Sequence, residues 1–159
     1  MKKTTIFLLA LIPLLFACAP HYRADPSISA ICEVSLDALE REDYRLDTAG
    51  ILEDYITLPD TVTEYAVFYS AETENADELG IFLCRDDEDA IELEQMLRTA
   101  YLDAFYEKNR EFYDSYIPGE TPKLKDAQVR RFGIAVAYAM LSPADQSAFF
   151  HAIDKYMQE

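Results

Sequence analysis

The stretch from Glu64 to Arg85, EYAVFYSAETENADELGIFLCR, carries the clearest strand pattern in the chain. Its first part, Glu64 to Ser70, is apolar and aromatic on both alternating faces, which is typical of a strand covered on both sides. Leu79 to Arg85 predicts a second strand. The polar link of seven residues between them, Ala71 to Asp77, is too short for a parallel crossover of about a dozen residues. The sequence therefore predicts an antiparallel hairpin.

A long helix follows this hairpin. Four acids, Asp86 to Asp89, suit the positive N-terminal end of a helix, and apolar residues then recur at helical spacing from Ala90 to about Tyr116. The residues from Ile117 to Pro122 predict a loop. Two further strands, Ala127–Phe132 and Ile134–Leu141, flank Gly133 and predict a second, tight hairpin.

Helices are predicted at both ends of this arrangement. An apolar stripe begins after Ser27 and predicts a helix that ends near Asp43. The Ser142-Pro143 pair supplies a cap and a first-turn proline for a C-terminal helix. The predicted fold is α+β: a mainly antiparallel four-stranded sheet packed with a long central helix and flanking N- and C-terminal helices.

The N-terminus, MKKTTIFLLALIPLLFAC, has two lysines, eleven apolar residues and a small residue before Cys18. A basic head and a short apolar middle are typical of a secretory signal peptide, and a spanning helix needs about twenty apolar residues. The last four residues, Leu15-Phe16-Ala17-Cys18, resemble the lipobox of bacterial lipoproteins. That resemblance implies recognition of Leu15, Phe16 and Ala17 by a signal peptidase and attachment of a diacylglycerol to the thiol of Cys18. A plain secretion signal and an uncleaved anchor are the alternatives.

Three regions follow from this interpretation. Residues 1–17 are predicted to be a lipoprotein-type signal peptide, 18–26 the lipidated N-terminus and tether, and 27–159 a single α+β domain. The predicted location is the outer face of the bacterial cell membrane, with the lipid on Cys18 as the anchor.

The chain is strongly acidic, with a formal net charge of −16. Most of its acids lie between Ala24 and Glu94, whereas the remainder of the chain is nearly balanced. This charge argues against nucleic acid as a partner, because nucleic acids bind basic surfaces. It suits solubility, or else a cationic or polybasic partner or loosely held divalent cations, and it is expected to keep the domain off an anionic bilayer.

Three residue groups have more than one interpretation each. Cys32 and Cys84 could form a disulfide outside the cytoplasm or remain buried thiols. An aromatic row on the long helix is either core or a platform for a sugar or a peptide. The only basic cluster contacts the acidic half of the protein, an anionic lipid or a wall polymer. The aromatic row comprises Tyr101, Phe105, Tyr106, Phe112, Tyr113 and Tyr116, and the basic cluster comprises Lys123, Lys125, Arg130 and Arg131.

No motif in the sequence predicts catalysis. The two histidines, His21 and His151, stand outside any ligand or triad pattern, the serines lack a nucleophile elbow, and four glycines make no phosphate-binding loop. The chain is therefore predicted not to be an enzyme, with no catalytic residue, no metal ligand and no cofactor.

Several short motifs carry a resemblance over the region from about Tyr55 to Leu141. They are Leu58-Pro59, Glu64-Tyr65-Ala66-Val67, Glu78-Leu79-Gly80-Ile81-Phe82, the run Asp86 to Ala90, Tyr116-Ile117-Pro118, and Ala127 with Val129. In these the chain resembles a family of lipoproteins of Gram-positive bacteria, catalogued as domain of unknown function 4358. The resemblance implies a location and a domain boundary, and no activity.

The sequence thus predicts a membrane-anchored extracytoplasmic lipoprotein that binds a protein or cell-wall partner without catalysis. One alternative is a lipoprotein that binds a small molecule or a cation. Another is a cell-envelope hydrolase, which would require a buried carboxylate pair, or His151 beside an acid in a cleft.

Overall fold

The computed structural model describes residues 20–48 and 50–158. They form an α+β fold with one five-stranded antiparallel sheet in the order β1-β2-β3-β5-β4. The strands are β1 Tyr44–Leu46, β2 Val62–Ser70, β3 Glu78–Cys84, β4 Gln128–Phe132 and β5 Ala135–Met140. The helices are α1 Ile28–Asp37, α2 Asp87–Met96, α3 Ala104–Tyr116, α4 Thr121–Lys125 and α5 Pro143–Gln158, with a short 3₁₀ turn at Leu52–Asp54.

Both predicted hairpins are confirmed. β2 pairs antiparallel with β3, and β4 pairs antiparallel with β5 around Gly133, whose φ of +62° suits a glycine. β3 and β5 then pair with each other and form the centre of the sheet. Every residue of these two strands is buried, as expected for strands covered on both faces.

The predicted number of four strands is wrong, because β1 adds a fifth. β1 pairs with the end of β2, with Tyr44 opposite Ser70 and Leu46 opposite Phe68. A strand of three residues is too short for its alternation to be recognised in a sequence. The predicted N-terminal helix also extended too far: α1 ends at Asp37, and Glu40 adopts a φ of +52°, which a helix does not accommodate.

The sheet lies between two helical layers. α1 and α5 cover one face, which we call the helix-pair face, and its cluster includes Ile31, Ile81 and Phe149. The helical run after β3 covers the other face, called the long-helix face, whose cluster includes Phe82 and Leu97. Because neighbouring residues of a strand point to opposite faces, the two clusters alternate along β3 and β5.

The predicted long helix is continuous but not uniform. Asp86 caps α2 by accepting a hydrogen bond from the amide of Asp89 at 3.0 Å. A π-helical segment, Leu97–Asp103, then joins α2 to α3. π turns insert an extra residue and occur often at functional sites. After α3, the predicted loop ends in the first turn of the short helix α4, which begins at Thr121 and has Pro122 in its first turn.

The sheet has two ends that differ in what surrounds them. The Gly133 end contains the β4–β5 turn and the start of α2. β3 ends there, where the amide of Cys84 donates a hydrogen bond to the carbonyl of Ile134 at 2.9 Å. The Asn75 end holds the β2–β3 link and the C-terminus of α3. The helical run from α2 to α3 therefore extends from the first end to the second.

Candidate functional site

The segment before α1 is packed against the domain at the Gly133 end. The hydroxyl of Tyr22 donates to Asp154 of α5 at 3.0 Å, and its ring meets Phe132 edge-on at 6.1 Å. The guanidinium of Arg23 lies 4.0 Å from the centre of the Tyr156 ring, and its backbone amide donates to the carbonyl of Met157 at 2.8 Å. Residues 20–26, part of the predicted tether, thus contact the body of the protein.

A groove with two exposed aromatic rings lies at the other end of the sheet. We call it the distal groove; it has a volume of about 470 Å³. Phe112 and Tyr116 are 56% and 74% exposed, and their ring centres are 5.1 Å apart. Exposed neighbouring aromatic rings are a common sign of a binding surface. The groove is lined by Thr73, Glu74, Asn75, Phe112, Tyr113, Tyr116 and Ile117.

The aromatic row on the long helix has two roles, divided by position along the helix. Tyr101 is completely buried, and Phe105, Tyr106 and Tyr113 pack against the core of the long-helix face. Two of the last three members of the row, Phe112 and Tyr116, are exposed to solvent, while Tyr113 between them faces the core. A spacing of four residues places Phe112 and Tyr116 one above the other on the same side of α3. The core interpretation holds for most of the row, and the platform interpretation fits only its end.

Charged side chains fix the two walls of the distal groove relative to each other. The ammonium of Lys123 lies 2.6 Å from Asp77, 2.7 Å from Glu120 and 3.3 Å from the side-chain oxygen of Asn75. Glu120 accepts a further hydrogen bond from the amide of Ala76 at 2.9 Å. The β2–β3 link and the segment after α3 are therefore tied together beneath the groove.

Asp77 is the centre of this arrangement. Its side chain is 1% exposed and pairs with Lys123 and with Arg41, which also holds Asp43 at 2.6 Å. Burial lowers the pKa of Lys123, but its hydrogen bonds to Asp77 and Glu120 outweigh burial and raise the pKa overall. Lys123 therefore stays charged at neutral pH, and its charge is balanced by its own partners.

Glu78 forms a second buried polar cluster, on the long-helix face. Its Oε1 accepts a hydrogen bond from the hydroxyl of Tyr101, in the π-helical segment, and one of 2.5 Å from Tyr138 of β5. Burial raises the pKa of the Glu78 carboxyl, although both hydrogen bonds act in the opposite direction. All three side chains are buried, so the cluster joins the helix to the sheet and is out of reach of a substrate.

Of the two arrangements that a hydrolase would require, a paired set of buried carboxylates is not formed by the described residues, whereas His151 does lie in a cleft with acids, Glu94 and Asp154. Asp77 and Glu78 are both buried, but the first binds Arg41 and Lys123 and the second binds two tyrosines, so they share no partner. His151 lines a cleft with Asp154, but the described chain contains no hydrogen bond between them, and Asp154 accepts instead from Tyr22.

The basic cluster does not form one surface. Arg131 lies 3.8 Å from Asp87 and 3.9 Å from Glu94, while the guanidinium of Arg130 stacks on Phe150 at 4.6 Å. The interpretation that these bases contact the acidic part of the chain is confirmed for Lys123 and Arg131. Charges along β4 also protect the exposed edge of the sheet from pairing with another strand.

Cys32 and Cys84 are free thiols on opposite faces of the sheet, Cys32 in the helix-pair cluster and Cys84 in the long-helix cluster. Burial raises the pKa of each to about 11. Across the described ranges, no three histidine, cysteine, aspartate or glutamate side chains are grouped so that they could hold a metal ion.

The residues predicted to direct lipidation lie outside the described part of the chain. These are Cys18 and the recognition residues Leu15, Phe16 and Ala17, together with the rest of the predicted signal peptide. Within residues 20–48 and 50–158, no helix has both the length and the apolar character needed to cross a membrane.

Sequence reasoning missed one wall of the distal groove. Thr73, Glu74 and Asn75 belong to the polar link Ala71–Asp77, for which the sequence predicts only a turn, yet they line the groove with the aromatic end of α3. Glu74 adopts a φ of +67°, which is uncommon for a residue other than glycine, and nothing in the local sequence indicates it. The buried acids Asp77 and Glu78 were also missed, because acids are rarely buried and thirty of them obscure any single one.

No family model, no curated protein and no solved structure matches this chain. The resemblance to the lipoprotein family therefore rests on the short motifs quoted above.

Proposed function

We propose that this protein is a lipid-anchored extracytoplasmic protein that binds a partner protein of the cell envelope through the distal groove, without catalysis. The anchor is the diacylglyceryl group on Cys18 predicted from the lipobox. The observation that carries the proposal is the placement of residues 20–26 and of the distal groove at opposite ends of the sheet.

The predicted anchor lies only a short distance from the domain. Cys18 precedes Pro20 by two residues, and two extended residues span at most about 7 Å. Tyr22 and Arg23 are held at the Gly133 end by their contacts with α5. A lipid on Cys18 would therefore bring the Gly133 end close to the bilayer surface.

The distal groove lies farther from the predicted anchor, at the other end of the sheet. β3 has seven residues, which span roughly 20 Å between the Gly133 end and the Asn75 end. The helical run from α2 to α3 extends in the same direction and ends at the aromatic rings. An anchored chain would thus present Phe112 and Tyr116 away from the membrane, where a partner can reach them.

Intact mass of membrane-extracted protein tests the anchor. We expect wild type to begin at Cys18 and to carry the mass of a diacylglyceryl group, and Cys18→Ala to appear unlipidated in the soluble or uncleaved fraction. An unlipidated, soluble wild type would overturn the anchored part of the proposal.

Site-specific crosslinking in cells tests the groove. A photoreactive residue in place of Tyr116 is expected to capture a protein at a defined mass. The same residue in place of Ile91, which is 52% exposed on α2, serves as the matched control and is expected to capture nothing at that mass. Equal capture at both positions, or none at Tyr116, would refute a binding role for the groove.

A further inference from the structure

We propose that the distal groove receives the cationic side chain of a lysine or arginine from a basic segment of the partner protein. This inference rests on the proposed function, because it assumes that the groove is a binding surface and adds the chemical class of its ligand.

The aromatic rings provide the first reason. The planes of Phe112 and Tyr116 are inclined at 34°, with their centres 5.1 Å apart, and Phe112 meets Tyr113 edge-on at 5.6 Å. The face of an aromatic ring attracts a cation through its quadrupole, most strongly where water is partly excluded. A groove lined by such rings is therefore suited to an ammonium or a guanidinium group with an apolar stem, which would lie against the exposed faces of the rings.

The charge of the lining provides the second reason. Glu74 is the only lysine, arginine, aspartate or glutamate among the described lining residues, so the groove carries a single negative charge. The base that contacts the lining, Lys123 beside Asn75, is already engaged by Asp77 and Glu120. A cation that enters the groove consequently finds a carboxylate among the described lining residues and no lysine or arginine among them.

The charge of the whole protein acts in the same direction. With a net charge of −16, the chain attracts a basic segment from a distance and raises its rate of association. This long-range attraction alone is not specific to the groove, and any test must separate it from local recognition. A neutral sugar would also stack on the rings and donate hydroxyl hydrogen bonds to Glu74, but it would gain no charge–charge attraction from Glu74 or from the net charge of the protein.

The test is a titration of the purified protein with a blocked peptide of alternating glycine and lysine, compared with its glycine–glutamate counterpart. We expect the lysine peptide to bind and the glutamate peptide not to bind. Because both rings would contact the cation, replacing both Phe112 and Tyr116 by alanine should weaken binding about tenfold. Glu74→Gln should weaken it severalfold.

Two matched controls separate groove binding from general attraction. Glu64→Gln removes the same charge at an exposed site near the Gly133 end, and Ile91→Ala removes an exposed apolar side chain on α2. Both are expected to change affinity less than twofold. Thermal unfolding of each variant checks that the fold is intact, which we expect because all the substituted side chains are exposed.

The outcomes distinguish this inference from the proposed function. If Glu64→Gln weakens binding as much as Glu74→Gln does, the attraction is general and the inference is wrong. If the lysine peptide does not bind although Tyr116 captures a partner in cells, the groove is a binding site for another chemistry. In that case the inference fails and the proposed function stands.

Discussion

The hydroxyl of Tyr22 and the carboxylate of Asp154, 132 residues apart in sequence, are joined by a hydrogen bond of 3.0 Å. This bond and the contact between Tyr22 and Phe132 hold the segment that follows the predicted lipidation site against α5. The described part of the predicted tether, residues 20–26, is therefore packed against the domain.

Tyr22→Phe should lower the free energy of unfolding by about 1 kcal/mol, because it removes one partly buried hydrogen bond. Tyr22→Ala should cost about 2 kcal/mol, since the ring packing is lost as well. Urea unfolding of the purified protein measures both. Tyr116→Ala, on an exposed ring, is the control and should have little effect; equal stability of all four proteins would mean that the segment does not pack as described.

Glu78→Gln should change how stability depends on pH. The pKa of the Glu78 carboxyl is raised above 4.5 in the folded state, so the folded chain keeps this proton to higher pH than the unfolded chain. The stabilisation that comes from this difference in pKa is therefore complete at acidic pH and is lost as the pH rises through the folded-state pKa of Glu78. Glutamine does not titrate, so the variant should gain stability relative to wild type as the pH rises from about 4 to 8.

Urea titrations across this pH range provide the measurement for Glu78→Gln. Glu64→Gln is the matched control, because that carboxylate is exposed. The free energy of unfolding of Glu78→Gln must rise relative to that of wild type as the pH increases. A difference that stays constant would show that Glu78 titrates as it does in the unfolded chain.

Gly80→Ala should destabilise the protein by about 3 kcal/mol. A Cβ at position 80 would overlap the ring of Tyr138 and lie 2.9 Å from a ring carbon of Phe82, so the ring that bonds Glu78 would have to move. Gly119→Ala is the control, since a Cβ there meets nothing within 4 Å. Denaturant midpoints of the two variants compare them directly, and similar values would refute a tight contact between Gly80 and Tyr138.

Lys123→Met should lower stability by about 2 kcal/mol, because it leaves the buried carboxylate of Asp77 with Arg41 as its only cationic partner. It should also weaken peptide binding, since the two walls of the distal groove lose their common tie. Lys125→Met removes the same charge from an exposed site of α4 and should change neither property. Unfolding and peptide titration on one preparation measure both effects.

The count of free thiols tests the state of the cysteines. Denatured, unreduced, lipidated protein should show two thiols, from Cys32 and Cys84, because the two lie on opposite faces of the sheet. In the folded protein at pH 8 both should react slowly, since the pKa of each is about 11. Absence of reactive thiol after denaturation would establish the disulfide instead.

Local patterns predicted the regular elements with strong periodicity. Short apolar runs rich in strand-forming residues identified β2 and β3. The glycine between two apolar runs identified the β4–β5 hairpin, and acids and helical spacing identified the helical run that begins at Asp87. β1 was not predicted, because its three residues form a strand only through their pairing with β2. The π-helical segment was missed because an extra residue in one turn leaves no local trace.

The sequence by itself determined the types of the main elements, the acidic charge and the resemblance of residues 15–18 to a lipobox, since composition and short-range spacing encode each of them. Only the tertiary structure decided that Phe112 and Tyr116 are exposed while Tyr101 is buried. The same continuous helical run carries all three, and the position of the sheet decides which of its residues are covered. The structure alone also brought Asp77 to Lys123 and placed Tyr22 far from the groove, because such contacts join residues distant in sequence, whose proximity no local pattern specifies.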